Sequence, residues 1–330
     1  MKSFFAALAR RGAAAIARDI VRDESWNDFL LLQGTQAALQ LRGLDRLASL
    51  QDAEFKVFSQ WGEDGIIEWL VSRLPGIPQS FVEFGVEDYT EANTRFLLAH
   101  RNWRGLVIDG DAQNIEKIRG RQNAWKHDLM ALCAFVTRDN IDGLICGAGF
   151  GGEIGLLSVD IDGNDYWVWE AIRAVQPWIV IVEYNAVLGD LKPLSIPYDP
   201  GFSRMAAHHS ALYWGASATA FERLAAQRGY SLVGSNRAGN NLFFVHNDVS
   251  GAIVSAIADR RARPSLYTEA RDRQGMLTFT RGALRRDLIN DRPVTDIDTG
   301  STAALADMGE LYSPYWSAIL QGKAPPEAHS

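Results

Sequence analysis

The chain has 330 residues, 47% hydrophobic and 22% charged, and 33 basic against 40 acidic residues leave a net charge of −7. At roughly 100–200 residues per domain this is one large domain with attachments, or two domains, and the composition excludes a disordered chain, a collagen-like fibre and a membrane bundle. No global nucleic-acid footprint appears, no run of ~18 uncharged apolar residues offers a spanning helix, and Cys133 and Cys146 are too few for a disulfide framework or a cysteine metal site, which points to a reducing, cytoplasmic setting.

Residues 1–22 carry five basic residues and one acid, with Phe4, Phe5, Leu8, Ile16 and Ile20 at near-helical spacing. Arg10 and Arg11 interrupt the apolar stretch, which argues against a secretory leader. Two readings stay open for this stretch. One is a peripheral anchor on anionic lipid; the other is an ordinary helix packed on the body or on a second copy in a homo-oligomer.

From about 58 to 246, short apolar strands alternate with helical stretches. Strands are expected at 81–85, 105–109, 132–136, 155–160 and 178–183, and several are continuous apolar runs of the kind buried on both faces of a parallel sheet. Helices are expected between them at 91–100, 112–120 and 164–175, the last with Trp167, Ala171 and Val175 on one face. After a helix over 216–228, strands 230–234 and 241–245 are joined by a connection with Gly239 and Asn240, short enough only for an antiparallel hairpin. The pattern is a doubly wound α/β domain over 51–250, between a helical extension, 1–50, and a less regular, partly helical one, 251–330. Residues 260–286 hold eight arginines against Glu269 and Asp272. They form either a solvated face or a dock for an anionic substrate, lipid or nucleotide-sugar product.

In such a sheet, ligands bind beyond the carboxyl ends of the strands. The first strand ends FVEFGVEDYT: Glu83 lies within it, Gly85 allows close backbone approach, and Glu87 and Asp88 follow before the helix. Two acids there would repel a pyrophosphate but suit an amino group or a sulfonium, and no GxGxxG is present. The second strand ends GLVIDGD, placing Asp109, followed by Gly110, where a carboxylate accepts hydrogen bonds from a ribose diol. The fourth runs into SVDIDGND, crowding Asp160, Asp162, Asn164 and Asp165, and the fifth delivers Glu183 and Asn185 to the same rim. A helix cap from Asp162 or Asn164 accounts for one of these; the others can ligate a hard metal, orient a cationic cofactor, or act as general base on a hydroxyl. His208 and His209 are alternative bases. Tyr166, Trp167, Tyr198, Tyr213 and Trp214 are expected to divide between core and the walls of an acceptor pocket.

Taken together, FSQWGEDGII (58–67), FVEFGVEDYTEANTRFLL (81–98), WRGLVIDGD (103–111), LLSVDIDGNDYWVWEAI (156–172), VEYN (182–185), IPYDP (196–200), YWGAS (213–217) and GYSLVGSNRAGNNLFFV (229–245) resemble the FkbM-type S-adenosylmethionine-dependent methyltransferases over about 58–246. The resemblance implies a Rossmann-like class I methyltransferase fold: a mostly parallel seven-stranded sheet ending in an antiparallel hairpin, with helical N- and C-terminal additions. It implies S-adenosylmethionine held by Gln60, Glu83, Gly85, Glu87, Asp88, Asp109, Gly110 and Asp160. O-methylation of a sugar hydroxyl on a surface glycan, glycolipid or secondary metabolite would follow, with Asp162, His208 or His209 as base and Tyr166, Glu183, Asn185, Tyr213 and Trp214 around the acceptor. The segment 162–166 is similar to the DGDxY motif of metal-dependent macrolide sugar O-methyltransferases, which implies Mg2+ on Asp162 and Glu183. Two departures bear on that: Asn164 replaces an acid, and Glu183-Tyr-Asn185 stands where paired aspartates are expected. Two other classes stay open: a catalytically silent adenosine-ligand binding protein in a biosynthetic complex, and a nucleotide-sugar or dinucleotide enzyme, against which the acids after Gly85 weigh.

Overall fold

The computed structural model describes residues 24–121 and 124–324; the stretch 1–22, with its anchor and helix readings, lies outside them. In chain order the elements are α1 (Glu24–Leu41), β1 (Leu47–Ser49), α2 (Glu63–Ser72), β2 (Ser80–Phe84), α3 (Arg95–Arg101), β3 (Arg104–Asp109), α4 (Ala112–Arg119), β4 (Leu129–Cys133), α5 (Ile141–Gly147), β5 (Gly152–Val159), α6 (Asp165–Ala171) and β6 (Val175–Glu183). There follow β7 (Leu194–Ser195), α7 (Arg204–Ala207), α8 (Ala218–Gln227), β8 (Tyr230–Ser235), β9 (Asn241–His246), α9 (Asn247–Ala256), β10 (Ile257–Asp259), α10 (Leu284–Asp287), β11 (Pro293–Asp296), β12 (Thr302–Ala304) and α11 (Pro314–Leu320).

Seven strands form the central sheet in the order β4-β3-β2-β5-β6-β9-β8, parallel except for β9, which runs antiparallel to both β6 and β8. This is the fold class the sequence pattern and the resemblance point to. The continuous apolar runs are explained by burial on both faces. In β6, Val180 and Val182 enter the core beneath α6 and α8, while Ile179 and Ile181 enter the opposite core with α2 and α3. In β9, Leu242 and Phe244 go one way and Phe243 and Val245 the other. The β8–β9 turn is held by Asn236, whose Oδ1 accepts the amides of Gly239, Asn240 and Asn241.

Two expectations are corrected. The third strand is β4, ending at Cys133 opposite Asp109, so residues 134–136 form a loop and not the end of a strand. The C-terminal region also contributes strands: β11 pairs with β12 and with β7, and Leu311, Tyr315 and Trp316 enter the same core as β2 and β6. Of its arginines, Arg285 is buried and donates to Ser265 Oγ and the Ser265 carbonyl, and Arg261 pairs with Asp259. No helix among the described residues is long and apolar enough to cross a membrane.

Candidate active site

Parallel strands deliver their carboxyl ends to one edge, so the residues following β2, β3, β5 and β6 converge there. Gly85 makes that convergence possible. It adopts φ +70°, and a Cβ on it would fall 1.6 Å from the Asp160 carbonyl oxygen after β5. The two strand tips therefore touch through backbone, which only glycine permits. Around the junction lie three further residues with positive φ that are not glycine: Glu87 (47°), Tyr89 (60°) and Asp162 (56°). Strained backbone of this kind gathers at functional sites.

Above the junction opens a cleft of about 400 Å3. It is lined by seven carboxylates (Glu83, Glu87, Glu91, Asp109, Asp160, Asp162 and Glu183) and one guanidinium, Arg204. Gln60, Gly85 and Gly110 also line it. Of the expected cofactor residues, only Asp88 is absent from the lining. Its side chain turns back to its own loop and accepts the Thr90 amide, while its carbonyl accepts from Arg121.

Each acid has a distinct setting. Glu83 is buried and accepts the amides of Asn93 and Thr94 and the Thr94 hydroxyl; burial outweighs these bonds and pushes its pKa up to about 7. Asp109 braces the β2 loop against α4, its Oδ2 accepting the Glu87 amide and its Oδ1 the Asp111 amide, both at 2.8 Å. Its Oδ1 also accepts from the Asn114 side-chain amide at 3.3 Å, so of a carboxylate's about four acceptor positions roughly one remains free. Asp160, Asp162 and Glu183 bring carboxylate oxygens within 4.8 Å of one another. Burial, and then the neighbouring carboxylates, push Asp160 and Glu183 well above the ordinary carboxylate range. Glu183 Oε2 and the Oδ1 atoms of Asn164 and Asn241, all on the cleft wall, are buried with no hydrogen-bond partner among the described residues.

Asp162 is the exposed member and pairs with Arg204 at 2.5 Å. Arg204 also pairs with Glu269, donates to the Ala211 carbonyl and lies over the Trp214 ring. Burial lowers the Arg204 pKa, but Glu269, Asp162 and Glu183 together outweigh it and raise it. Of the two expected caps, Asn164 occupies the N-cap position of α6, but its side chain makes no cap hydrogen bond. The buried Asp165 carboxylate makes the turn by accepting the amides of Ile161 and Gly163, and the Asn164 amide group donates to the Asp199 carbonyl.

Several expected residues do not reach the cleft. Tyr166 is buried beside Trp167 and Phe221, Trp214 is buried under Arg204, and Tyr213 spends its hydroxyl on the Pro293 carbonyl. Asn185 is fully engaged, donating to the carbonyls of Leu212 and Trp214 and accepting the Val187 amide. His208 is tied to the Ser210 hydroxyl, and neither it nor His209 is in the lining. Glu63 is a clasp, its carboxylate accepting the Trp61 and Gly62 amides and the side chains of Asn236 and Asn241. The sequence reading missed Arg204, Glu91 and the apolar wall Ala134, Phe135 and Val136, which the misplaced strand had concealed.

No family model and no curated protein matches the chain. Among solved structures it is similar to the N-terminal domain of EvdMO1 with SAH bound (11% identity, 57% of this chain and 82% of that one, TM-score 0.37). It is similar also to a methyltransferase from Geobacter sulfurreducens (16%, 54% and 74%, TM-score 0.34). A third is an S-adenosylmethionine-dependent methyltransferase from Clostridium acetobutylicum (10%, 56% and 90%, TM-score 0.35).

Proposed function

We propose that the chain is an S-adenosylmethionine-dependent O-methyltransferase whose acceptor is a hydroxyl group, on a sugar of a glycan, glycolipid or secondary metabolite. The observation that carries this reading is the acidity of the cleft: of its seven acidic side chains, burial holds Glu83, Asp160 and Glu183 toward the protonated form, and Glu87, Glu91, Asp109 and Asp162 still outnumber the single guanidinium of Arg204 at the strand tips. Such a field favours a ligand with an ammonium and a sulfonium and disfavours a diphosphate. In this reading Phe135 and Val136 would give adenine an apolar wall, Asp109 would accept from the ribose hydroxyls, and Glu83, Glu87 and Asp160 would take the methionine end, all six being residues of the cleft lining.

Methyl transfer by in-line displacement needs alignment, electrostatic support and an acceptor for the hydroxyl proton. We assign that proton to Asp162, a reading supported by its exposure and by its position beside Asp160 and Glu183. His208 and His209, outside the lining, do not enter this reading. Calorimetry with S-adenosylhomocysteine tests it. One site per chain is expected, together with no measurable binding of NAD; the reverse selectivity overturns it.

A hard divalent cation fits the same donors. The three carboxylates bring oxygen ligands within 4.8 Å of one another, and the buried Glu183 Oε2 has no hydrogen-bond partner among the described residues. Asp160, Asp162 and Glu183 would hold it. When bound, such an ion polarises an acceptor hydroxyl and eases its deprotonation. Mg2+ titration of the wild-type chain and Asp162→Asn checks this: binding lost in the variant supports it, and no binding to either excludes it.

A further inference from the structure

Residues 263–269, in the C-terminal region, run as an irregular strap past the end of β6 and the start of β9, and their contacts fix its course. The Arg263 amide donates to Ser235 Oγ at 3.1 Å, and the Arg263 carbonyl accepts the hydroxyl of Tyr184, which directly follows β6. Pro264 approaches Gly239 so closely that a Cβ there would fall 2.6 Å from the Pro264 carbonyl oxygen. The buried Arg285 anchors the middle, donating to Ser265 Oγ at 2.8 Å, the Ser265 carbonyl at 2.7 Å and the Tyr267 carbonyl at 3.4 Å. At the far end Glu269 pairs with Arg204, which also holds Asp162. Tyr267 is therefore set at the rim of the cleft, between the start of β9 and Arg204. Burial, and then the charges of Glu269 and Glu183, oppose ionisation of its hydroxyl. Trp61 meets it from a distant part of the chain, the two rings stacked with 5.8 Å between centroids and 23° between planes. The Trp61 backbone is also fixed. Its amide donates to Glu63, whose carboxylate accepts the side chain of Asn241 on the cleft wall, and the preceding Gln60 lines the cleft. Even so, Trp61 is 42% exposed. An aromatic pair braced from both segments, with one ring so open, is preorganised to bury the apolar face of a ligand.

We infer that Trp61 and Tyr267 form the acceptor platform of the cleft, taking a neutral pyranoside whose C–H face packs on the indole while its edge hydroxyls donate to the carboxylates of Asp162 and Glu269. The inference rests on the methyltransferase reading and adds to it the residues that select the acceptor. The C–H hydrogens of a sugar ring are weakly positive and the indole face is negative, so the two faces attract as they bury apolar area. Hydroxyls donated to a carboxylate make the stronger, charge-assisted kind of hydrogen bond, and they fix which edge of the ring faces the cleft. An anionic acceptor would meet the acidic side chains of the cleft and is disfavoured. Arg204, joined to both Asp162 and Glu269, sets the platform on the same side of the cleft as the residue assigned to take the hydroxyl proton. Acceptor choice is thereby placed on the C-terminal region and on the segment before α2, apart from the strand tips that carry Gly85 and Asp109.

The test is saturation-transfer NMR on the full chain, with and without S-adenosylhomocysteine, using the methyl glycosides of glucose, galactose, mannose and rhamnose, and catechol as a flat phenolic comparator. At least one glycoside is expected to bind saturably, with the strongest transfer to its ring C–H protons, and catechol at least tenfold more weakly. Trp61→Ala is expected to weaken the glycoside tenfold or more, while Trp61→Phe, which keeps a ring, stays within threefold. Tyr267→Ala, which removes the backing ring, weakens it severalfold. Calorimetric affinity for S-adenosylhomocysteine is expected to stay within twofold in every variant, which also reports that each is folded. Absence of glycoside binding, preference for catechol, or glycoside affinity retained by Trp61→Ala overturns the inference, as does an equal loss of S-adenosylhomocysteine affinity in that variant. S-adenosylhomocysteine binding without glycoside binding fails this inference alone. Glycoside binding through Trp61 without S-adenosylhomocysteine binding fails the methyltransferase reading instead.

Discussion

Replacing Gly85 with alanine probes the junction on which the cleft is built. The added methyl carbon would sit 1.6 Å from the Asp160 carbonyl oxygen, and the atom it meets is backbone, so no rotamer relieves it. C···O contacts in proteins are about 3.3 Å or longer, so the two strand tips must part by roughly 1.7 Å. The parting falls immediately beyond the Phe84–Val159 pair, the last of the β2–β5 register. Overpacking of this kind costs about 1–3 kcal/mol, and holding alanine at φ +70° adds about 1 kcal/mol. Together they predict a loss of about 3 kcal/mol, equivalent to a drop in Tm of roughly 4 °C for a chain of 330 residues. Because the parted tips carry Glu87 and Asp162 with them, affinity for S-adenosylhomocysteine should fall at least tenfold. Thermal melts and calorimetry on the same sample read both quantities. A variant that melts within 2 °C of wild type and binds the ligand equally well refutes the reasoning.

Three further outcomes are expected. Asp109→Ala removes an acceptor of two backbone amides and of the ribose diol, so S-adenosylhomocysteine affinity should weaken by about 1.5–3 kcal/mol while Tm falls, and unchanged affinity in calorimetry would discredit the ribose role. Stability should decline as pH rises: Glu83, pushed up to about 7, contributes stability that is present below its ordinary value of 4.5 and lost on passing through 7, on the order of 3 kcal/mol, with Asp64 and Asp165 (both pushed up by burial to about 6) acting in the same direction. Melts between pH 5 and 8 check this, with Glu83→Gln flattening the decline and a Tm that climbs over that range contradicting it. Tyr166→Phe and His209→Ala should each leave ligand affinity within twofold, since neither side chain lines the cleft; a tenfold loss by titration would return them to the site.

The sheet is legible in the sequence because strands buried on both faces must be apolar without interruption, as Ile179–Val182 are. The hairpin is legible because Gly239 and Asn240 leave no length for a crossover. The misplaced strand at 132–136 comes from the same rule. Ala134, Phe135 and Val136 are apolar because they wall the cleft, and an edge strand with the exposed Met130 carries a weaker pattern than its loop. Strands β7, β11 and β12 have two to four residues, too few for a period to show. Acids at strand ends were legible through position alone. Their partner was not: Arg204 lies 42 residues from Asp162, and no local pattern links the two. The aromatic residues misled for a chemical reason, since a ring suits a sugar-binding wall and a packed core equally well, and Tyr166 and Trp214 are in the core.

The most direct measurement is a crystal structure of the chain soaked with S-adenosylhomocysteine. Ribose oxygens within hydrogen-bonding distance of Asp109, adenine against Phe135 and the sulfur beside the Gly85–Asp160 junction are the predicted result. An empty cleft in a saturated crystal, or a diphosphate seated among those carboxylates, would contradict it.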